Sequence, residues 1–147
     1  MSRDSRPPHL QWRLIALVAL GGALGTAARA GLGVAVAAAL PGAVFPVTTF
    51  TVNLVGAFVL GMLLEALVLR GPDEGARRGI RLFIGTGVLG GFTTYSAFSA
   101  DTARLLLDGE ALIAVGYALG TVVIGAVASL GGILLAQAAH RETRGAR

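Results

Sequence analysis

The stretch GGFTTYSAF at residues 90–98 places two glycines, two threonines, a tyrosine and a serine inside a run that carries no charge from Leu82 to Ala100. A helix that breaks at Gly90, Gly91, Thr93 and Thr94 would release backbone groups that an unbroken helix keeps for itself. Free carbonyls suit a small hard cation such as sodium, whereas amides and hydroxyls suit an anion. Tyr95 and Phe98 follow three residues apart, near Ser99, and the positive edge of an aromatic ring can meet a bare anion without a charged residue. As an isolated pair, the same rings could simply face lipid or fill a core. Asn53, in TVNLVGAF, carries an amide that either binds helices together or donates to a desolvated anion. Tyr117 and Thr121 share a helix face, which Gly125 continues one turn further on without a hydroxyl.

The elements that would position these groups are apolar runs. Of 147 residues, 54% are hydrophobic and the mean hydropathy is +0.75, far from the balance of a water-soluble domain. Cysteine is absent, which excludes a disulfide framework and a thiolate metal site. About 20 apolar residues cross about 30 Å of hydrocarbon. The uncharged run from Ala30 to Leu64 is too long for one crossing and is divided by Pro41, Gly42 and Pro46. The reading is therefore an all-α membrane protein of four transmembrane helices, over 12–36, 47–69, 80–102 and 111–138, with the third helix broken mid-membrane. Residues 1–11 and 139–147 are expected to be irregular cytoplasmic tails around a four-helix transmembrane domain at 12–138. A cleaved leader ending near Ala28, Arg29 and Ala30 is disfavoured, because apolar sequence continues beyond it.

All twelve basic residues are arginines, and they flank the apolar runs instead of lining one face, which argues against a nucleic-acid partner. With four crossings, ten arginines (3, 6, 13, 70, 77, 78, 81, 141, 144 and 147) fall on one side, and only Arg29 and Arg104 on the other. The positive-inside rule then puts both termini in the cytoplasm of a bacterial inner membrane. Gly21 with Gly25, Gly87 with Gly91 and Gly116 with Gly120 have the four-residue spacing that lets helix backbones approach in lipid. Four helices enclose little room for a solute path, so a dimer is expected.

Charges near the runs are few. Glu65 is expected to snorkel or to pair with Arg70, and Asp101 to pair with Arg104 along a helix. Arg29 either caps the carbonyls near the end of the first helix or draws an anion to an entrance.

The motifs GGALGTAAR at 21–29, TVNLVGAFVLG at 51–61 and GGFTTYSAFSAD at 90–101, in this order and spacing, resemble the small bacterial fluoride channels of the Fluc or CrcB family. The resemblance covers about residues 12–138. It implies a dimer of antiparallel subunits with two fluoride pores. It also implies a central, non-transported sodium ion held by backbone carbonyls, here those of Gly90 and Thr93. By position, Asn53 matches the pore asparagine, Tyr95 and Phe98 the two pore phenylalanines, and Thr94 with Ser96 the hydroxyl-rich stretch. Tyr117 and Thr121 resemble the polar track of the fourth helix, and Arg29 the arginine of the first. The activity implied is passive efflux of fluoride, trapped inside when hydrogen fluoride enters and dissociates. No catalytic residue is implied, so the protein is not expected to be an enzyme.

Two features depart from that pattern. Tyr95 replaces a phenylalanine and adds a hydroxyl. An antiparallel homodimer needs nearly balanced arginines, whereas here they are ten against two, so the expected partner is a homologous chain of opposite bias in a heterodimer. A small multidrug transporter is also a four-helix dimer, but it needs a membrane-embedded carboxylate, and no acidic residue lies deep in any expected span. A scaffold would use the glycines and leave the interrupted third span unexplained.

Overall fold

The computed structural model describes residues 11–145. Arg3 and Arg6 of the expected N-terminal tail, and Arg147, lie outside them. Every element among the described residues is helical: α1 Trp12–Ala39, α2 Val47–Val68, α3 Gly75–Ile80, a π-helical segment Arg81–Leu89, α4 Gly90–Phe92, α5 Tyr95–Leu107 and α6 Ala111–Gly145. Three of these, Trp12–Ala39, Val47–Val68 and Ala111–Glu142, are long and apolar enough to cross a membrane. The expected third span is instead assembled from shorter pieces.

Local chemistry sets most of the boundaries. The turn after α1 uses Gly42 in the left-handed region (φ 77°), and Pro46 stands as the N-cap of α2, where a missing N–H costs nothing. Gly109 (φ 82°) makes the turn between α5 and α6. Along 81–89 the hydrogen bonds lengthen to the i→i+5 register, a rare geometry that periodicity does not reveal. At about 1.5 Å per residue, the 35 residues of α6 extend beyond a bilayer core. Residues 139–145, expected as an irregular tail, continue α6 because no proline or glycine stops it before Gly145.

Packing joins two helix pairs, α1 along residues 81–92 and α2 along α6, with α5 lying on α6. Glycines seat the first pair. A Cβ on Gly21 would stand 2.9 Å from the Gly87 Cα, and one on Gly25 would stand 2.8 Å from the Phe92 nitrogen. In the second pair, a Cβ on Gly132 would lie 2.8 Å from the Met62 nitrogen. The Gly116/Gly120 pair does not seat a helix as its spacing predicts. An added Cβ meets nothing within 4 Å at Gly116 and only the tip of Ile124 at Gly120, because α6 turns its glycines at 131–132 toward α2 instead.

One end of the bundle gathers the arginines: Leu14 and Ile15 share a groove with Arg78 and Arg81, and Arg70 shares one with His140. Glu65 does not pair with Arg70. It accepts from Gln137 Nε2 (2.9 Å), because α6 lies alongside, while Arg70 donates to the Ala66 carbonyl (3.3 Å).

Candidate functional site

Helical geometry lapses after Phe92. Thr93 (φ −77°, ψ 160°) and Thr94 (φ −153°, ψ 124°) are extended, and α5 begins at Tyr95. Thr94 caps the new helix, its hydroxyl accepting from the Ala97 N–H at 3.1 Å. On the other side, the Thr93 N–H and hydroxyl both donate to the Leu89 carbonyl, at 2.9 and 2.8 Å.

Asn53, projecting from α2, holds the extended pair. Its Nδ2 donates to the Thr94 carbonyl (3.0 Å), and its Oδ1 accepts from the Thr94 N–H (2.9 Å). These two hydrogen bonds and the Thr94 cap together have a consequence for two carbonyls. The Thr94 N–H, which a continuous helix would give to Gly90, is spent on Asn53, and the Ala97 N–H, which would reach Thr93, is spent on the Thr94 hydroxyl. The carbonyls of Gly90 and Thr93 thus lose their helical donors, and uncharged carbonyl oxygens are the donor set a sodium ion takes. The residues present fit that ion.

Asn53, Thr93, Thr94, Tyr95, Phe98, Thr121 and Val122 line one open cavity of about 290 Å³, with no Asp, Glu, His, Lys or Arg in its wall. Ser96 joins them through its hydroxyl, 3.2 Å from that of Thr94. Phe98 stacks toward Tyr95 (centroids 6.0 Å apart) and toward Tyr117 (5.3 Å). Tyr95 is 81% exposed, so its phenol is presented to whatever lies beside the chain. Thr121 spends its hydroxyl proton on the Tyr117 carbonyl (2.7 Å), so what it turns to the cavity is acceptor capacity. Arg29 is half-buried in the middle of α1 and outside this cavity. It does not cap the helix, which runs ten residues further to Ala39.

Around the cavity the structure adds Phe45, Phe50 and Thr49, which the sequence reading leaves out. Tyr117 sits in an aromatic nest with Phe45 (5.5 Å, perpendicular) and Phe98, and Phe50 packs on Phe45 at 5.3 Å. Its hydroxyl is buried without a hydrogen bond, toward Thr49 and Asp101. Asp101 accepts from the Thr49 hydroxyl at 2.6 Å, and not from Arg104, which instead approaches Asp108 at 3.8 Å. The signal was spacing: Thr49 is one turn before Asn53, and Asp101 is one turn after Phe98.

Three apolar helices packed with glycine, and a cavity lined by uncharged polar and aromatic side chains where a fourth segment loses its helix, define an all-helical multi-pass membrane protein. Residues 16–133 match the family described as CrcB-like protein, Camphor Resistance (CrcB), and the chain belongs to that family. It is 58% identical over 136 residues, 92% of each chain, to the fluoride-specific ion channel FluC 2 of Leifsonia xyli subsp. xyli. Identity is 48% over 114 residues, 78% of each chain, with the fluoride-specific ion channel FluC 1 of Cutibacterium acnes. With the fluoride-specific ion channel FluC of Paracoccus denitrificans it is 44% over 116 residues, 79% of this chain and 88% of that one.

Proposed function

We propose that the chain is one half of a dimeric fluoride channel of the bacterial inner membrane that lets fluoride leave the cytoplasm passively. The relatives' names support the substrate. The observation that carries the reading is the single cavity in which Asn53, Thr94, Tyr95, Phe98 and Thr121 meet beside the interrupted helix. Fluoride is small and tightly hydrated, so a path that selects it over chloride must replace its water with closely placed donors. Those on offer are the second Asn53 N–H, one hydroxyl proton of the Thr94/Ser96 pair, the Tyr95 phenol and the ring edges of Phe98. With no cation in the wall, an anion is held loosely enough to move on. Arg29, outside the cavity, is assigned to drawing anions toward its mouth, and Tyr117 and Thr121 to the continuation of the path along α6.

On this reading residues 80–102 form the third crossing, interrupted midway, in a channel domain at 12–138 with both termini cytoplasmic. Gly90 and Thr93 would hold a structural, non-transported sodium ion through their carbonyls, and its charge would steady the junction of two antiparallel subunits. The exposure of Tyr95 and the open face at Gly116 leave surface for that second subunit. The arginine imbalance assigns the partner to a homologous chain of opposite bias.

The test is fluoride efflux from liposomes carrying the purified chain, with its partner if one is required, and chloride as control. Fluoride should leave and chloride should not, and Phe98→Ile and Asn53→Ala should each abolish the flux. Undiminished flux in both variants would remove this site assignment.

A further inference from the structure

This inference rests on the membrane reading above and adds a lipid to it. A groove of about 590 Å³ runs between the start of α1 and the segment after α3, walled by Leu14, Ile15, Val18 and Leu82 with Arg78 and Arg81 at one end. The wall is what an acyl chain needs, and its charged end is what a phosphate needs.

The two guanidiniums differ. Arg81 is bound to Asp73 (Nη2 to Oδ2, 2.7 Å). Arg78 is half-buried and makes neither a hydrogen bond nor an ion pair among the described residues, and the carboxylate near enough to act on it, Asp73, is already held by Arg81. Two positive charges therefore face one negative charge, and the unmatched one lines the groove. Arg77, the adjacent residue, points elsewhere: its Nε donates to the Pro72 carbonyl at 2.7 Å and it is not part of the wall. Trp12 stands three and seven residues before Ile15 and Ala19, on their side of α1, and is 68% exposed, as an aromatic at the bilayer interface would be. A groove between helices with apolar walls and a basic mouth at the arginine-rich end matches an anionic phospholipid and not a neutral one.

We propose that this groove binds an anionic phospholipid of the cytoplasmic leaflet, its phosphate on Arg78 and an acyl chain along Leu14, Ile15 and Val18. The charge makes the site selective for lipid headgroup, and the apolar wall distinguishes it from a site for free phosphate.

Trp12 is the only tryptophan of the chain, which gives the groove its own reporter. The full chain is reconstituted in phosphatidylcholine with increasing brominated phosphatidylglycerol, and quenching of Trp12 fluorescence is compared with that by equally brominated phosphatidylcholine. The anionic lipid should associate about fivefold more strongly, the factor one unmatched guanidinium at a membrane surface supplies. Arg78→Gln should erase the preference and Arg77→Gln should keep it, and millimolar inorganic phosphate should not displace the lipid. Equal quenching by both lipids, a preference that survives Arg78→Gln, displacement by phosphate, or a Trp12 shielded from both lipids by a second chain would each overturn the proposal. Fluoride flux measured in the same vesicles separates the two readings: lipid selectivity without flux sinks the channel alone, and flux without selectivity sinks the lipid site alone.

Discussion

The side-chain amide of Asn53 pairs with both backbone polar atoms of Thr94, donating to its carbonyl at 3.0 Å and accepting from its N–H at 2.9 Å. A side chain thus takes the place of a neighbouring strand and satisfies one of the two residues of the third segment, Thr93 and Thr94, that belong to neither flanking helix. In an apolar setting this matters more than adhesion, because an extended residue without such a partner would re-form helix or be left unsatisfied.

Asn53→Ala therefore does two things at once. It leaves the Thr94 N–H and carbonyl unpaired, at a cost of about 1–3 kcal/mol for a buried group, and it removes the remaining amide donor from the cavity. The expected outcome is a lower unfolding midpoint in detergent together with loss of fluoride flux. A variant with unchanged stability and lost flux would assign Asn53 to the ion alone.

Glycine spacing divides into positions that carry packing and positions that do not. Gly25→Ala would press a methyl group against the Val88 carbonyl and the Phe92 nitrogen, backbone atoms that cannot rotate away, and overpacking of this kind costs about 1–3 kcal/mol. Gly22→Ala, three residues earlier, meets nothing within 4 Å and should be neutral, or stabilising by about 0.5–1 kcal/mol through helix propensity. Thermal unfolding of the two variants side by side checks the contrast.

How far the sequence carries the fold depends on what each element answers to. The starts at 12, 47 and 111 are set by local signals, Pro46 and the Gly109 turn among them, and they fall where hydropathy and turn residues place them. Gly21, Gly25, Gly87 and Gly91 seat α1 against residues 83–92 as their spacing predicts, whereas Gly116 and Gly120 have the same spacing and no helix seated on them among the described residues, because spacing does not say which face a neighbour takes. The poor helix formers at 90–94 mark where helical geometry lapses, but the π register before them has no compositional sign. Charge pairing is the least readable. Proximity in sequence favours Asp101 with Arg104, yet Asp101 goes to Thr49, 52 residues away, once α2 and α5 are side by side.

Tyr95→Phe removes a phenol that is 81% exposed and makes no hydrogen bond among the described residues. Stability of the single chain should not change. Any shift in fluoride flux or in fluoride-over-chloride selectivity then reports on the ion path or on the partner's side of it, and efflux measured for Tyr95→Phe beside Phe98→Ile tests this directly.

Outside the apolar segments, Asp73 gives a pH dependence whose sign is fixed. The hydrogen bond from Arg81 holds its carboxyl below the ordinary value of 3.8 against the opposing desolvation, and the Arg81 and Arg78 charges add to the lowering. A depressed folded-state value means that the contribution is present above the unfolded value and is lost as pH falls through the lowered one. Unfolding midpoints of the native chain and Asp73→Asn, followed from pH 7 down into the acid range, should therefore differ near neutrality and converge below about pH 4.

The arginine bias makes the strongest statement about assembly. Counted along the sequence, ten of twelve arginines flank the apolar runs on the side of the start of α1, the 70–81 loop and the end of α6, and an asymmetry of this size directs a chain to one orientation. Single cysteines placed at residue 2 and residue 146 should both react with an impermeant reagent from the cytoplasmic side only, and the chain expressed alone should give no antiparallel pair and little flux. Replacing Arg77, Arg141 and Arg144 by glutamine while adding arginines in the turns near Gly42 and Gly109 evens the two sides, and labelling should then appear from both faces. Arg70, Arg78 and Arg81 are left in place because they touch the grooves of the bundle. Two-sided labelling of the unaltered chain in one homogeneous dimer with flux would show that it needs no second gene product.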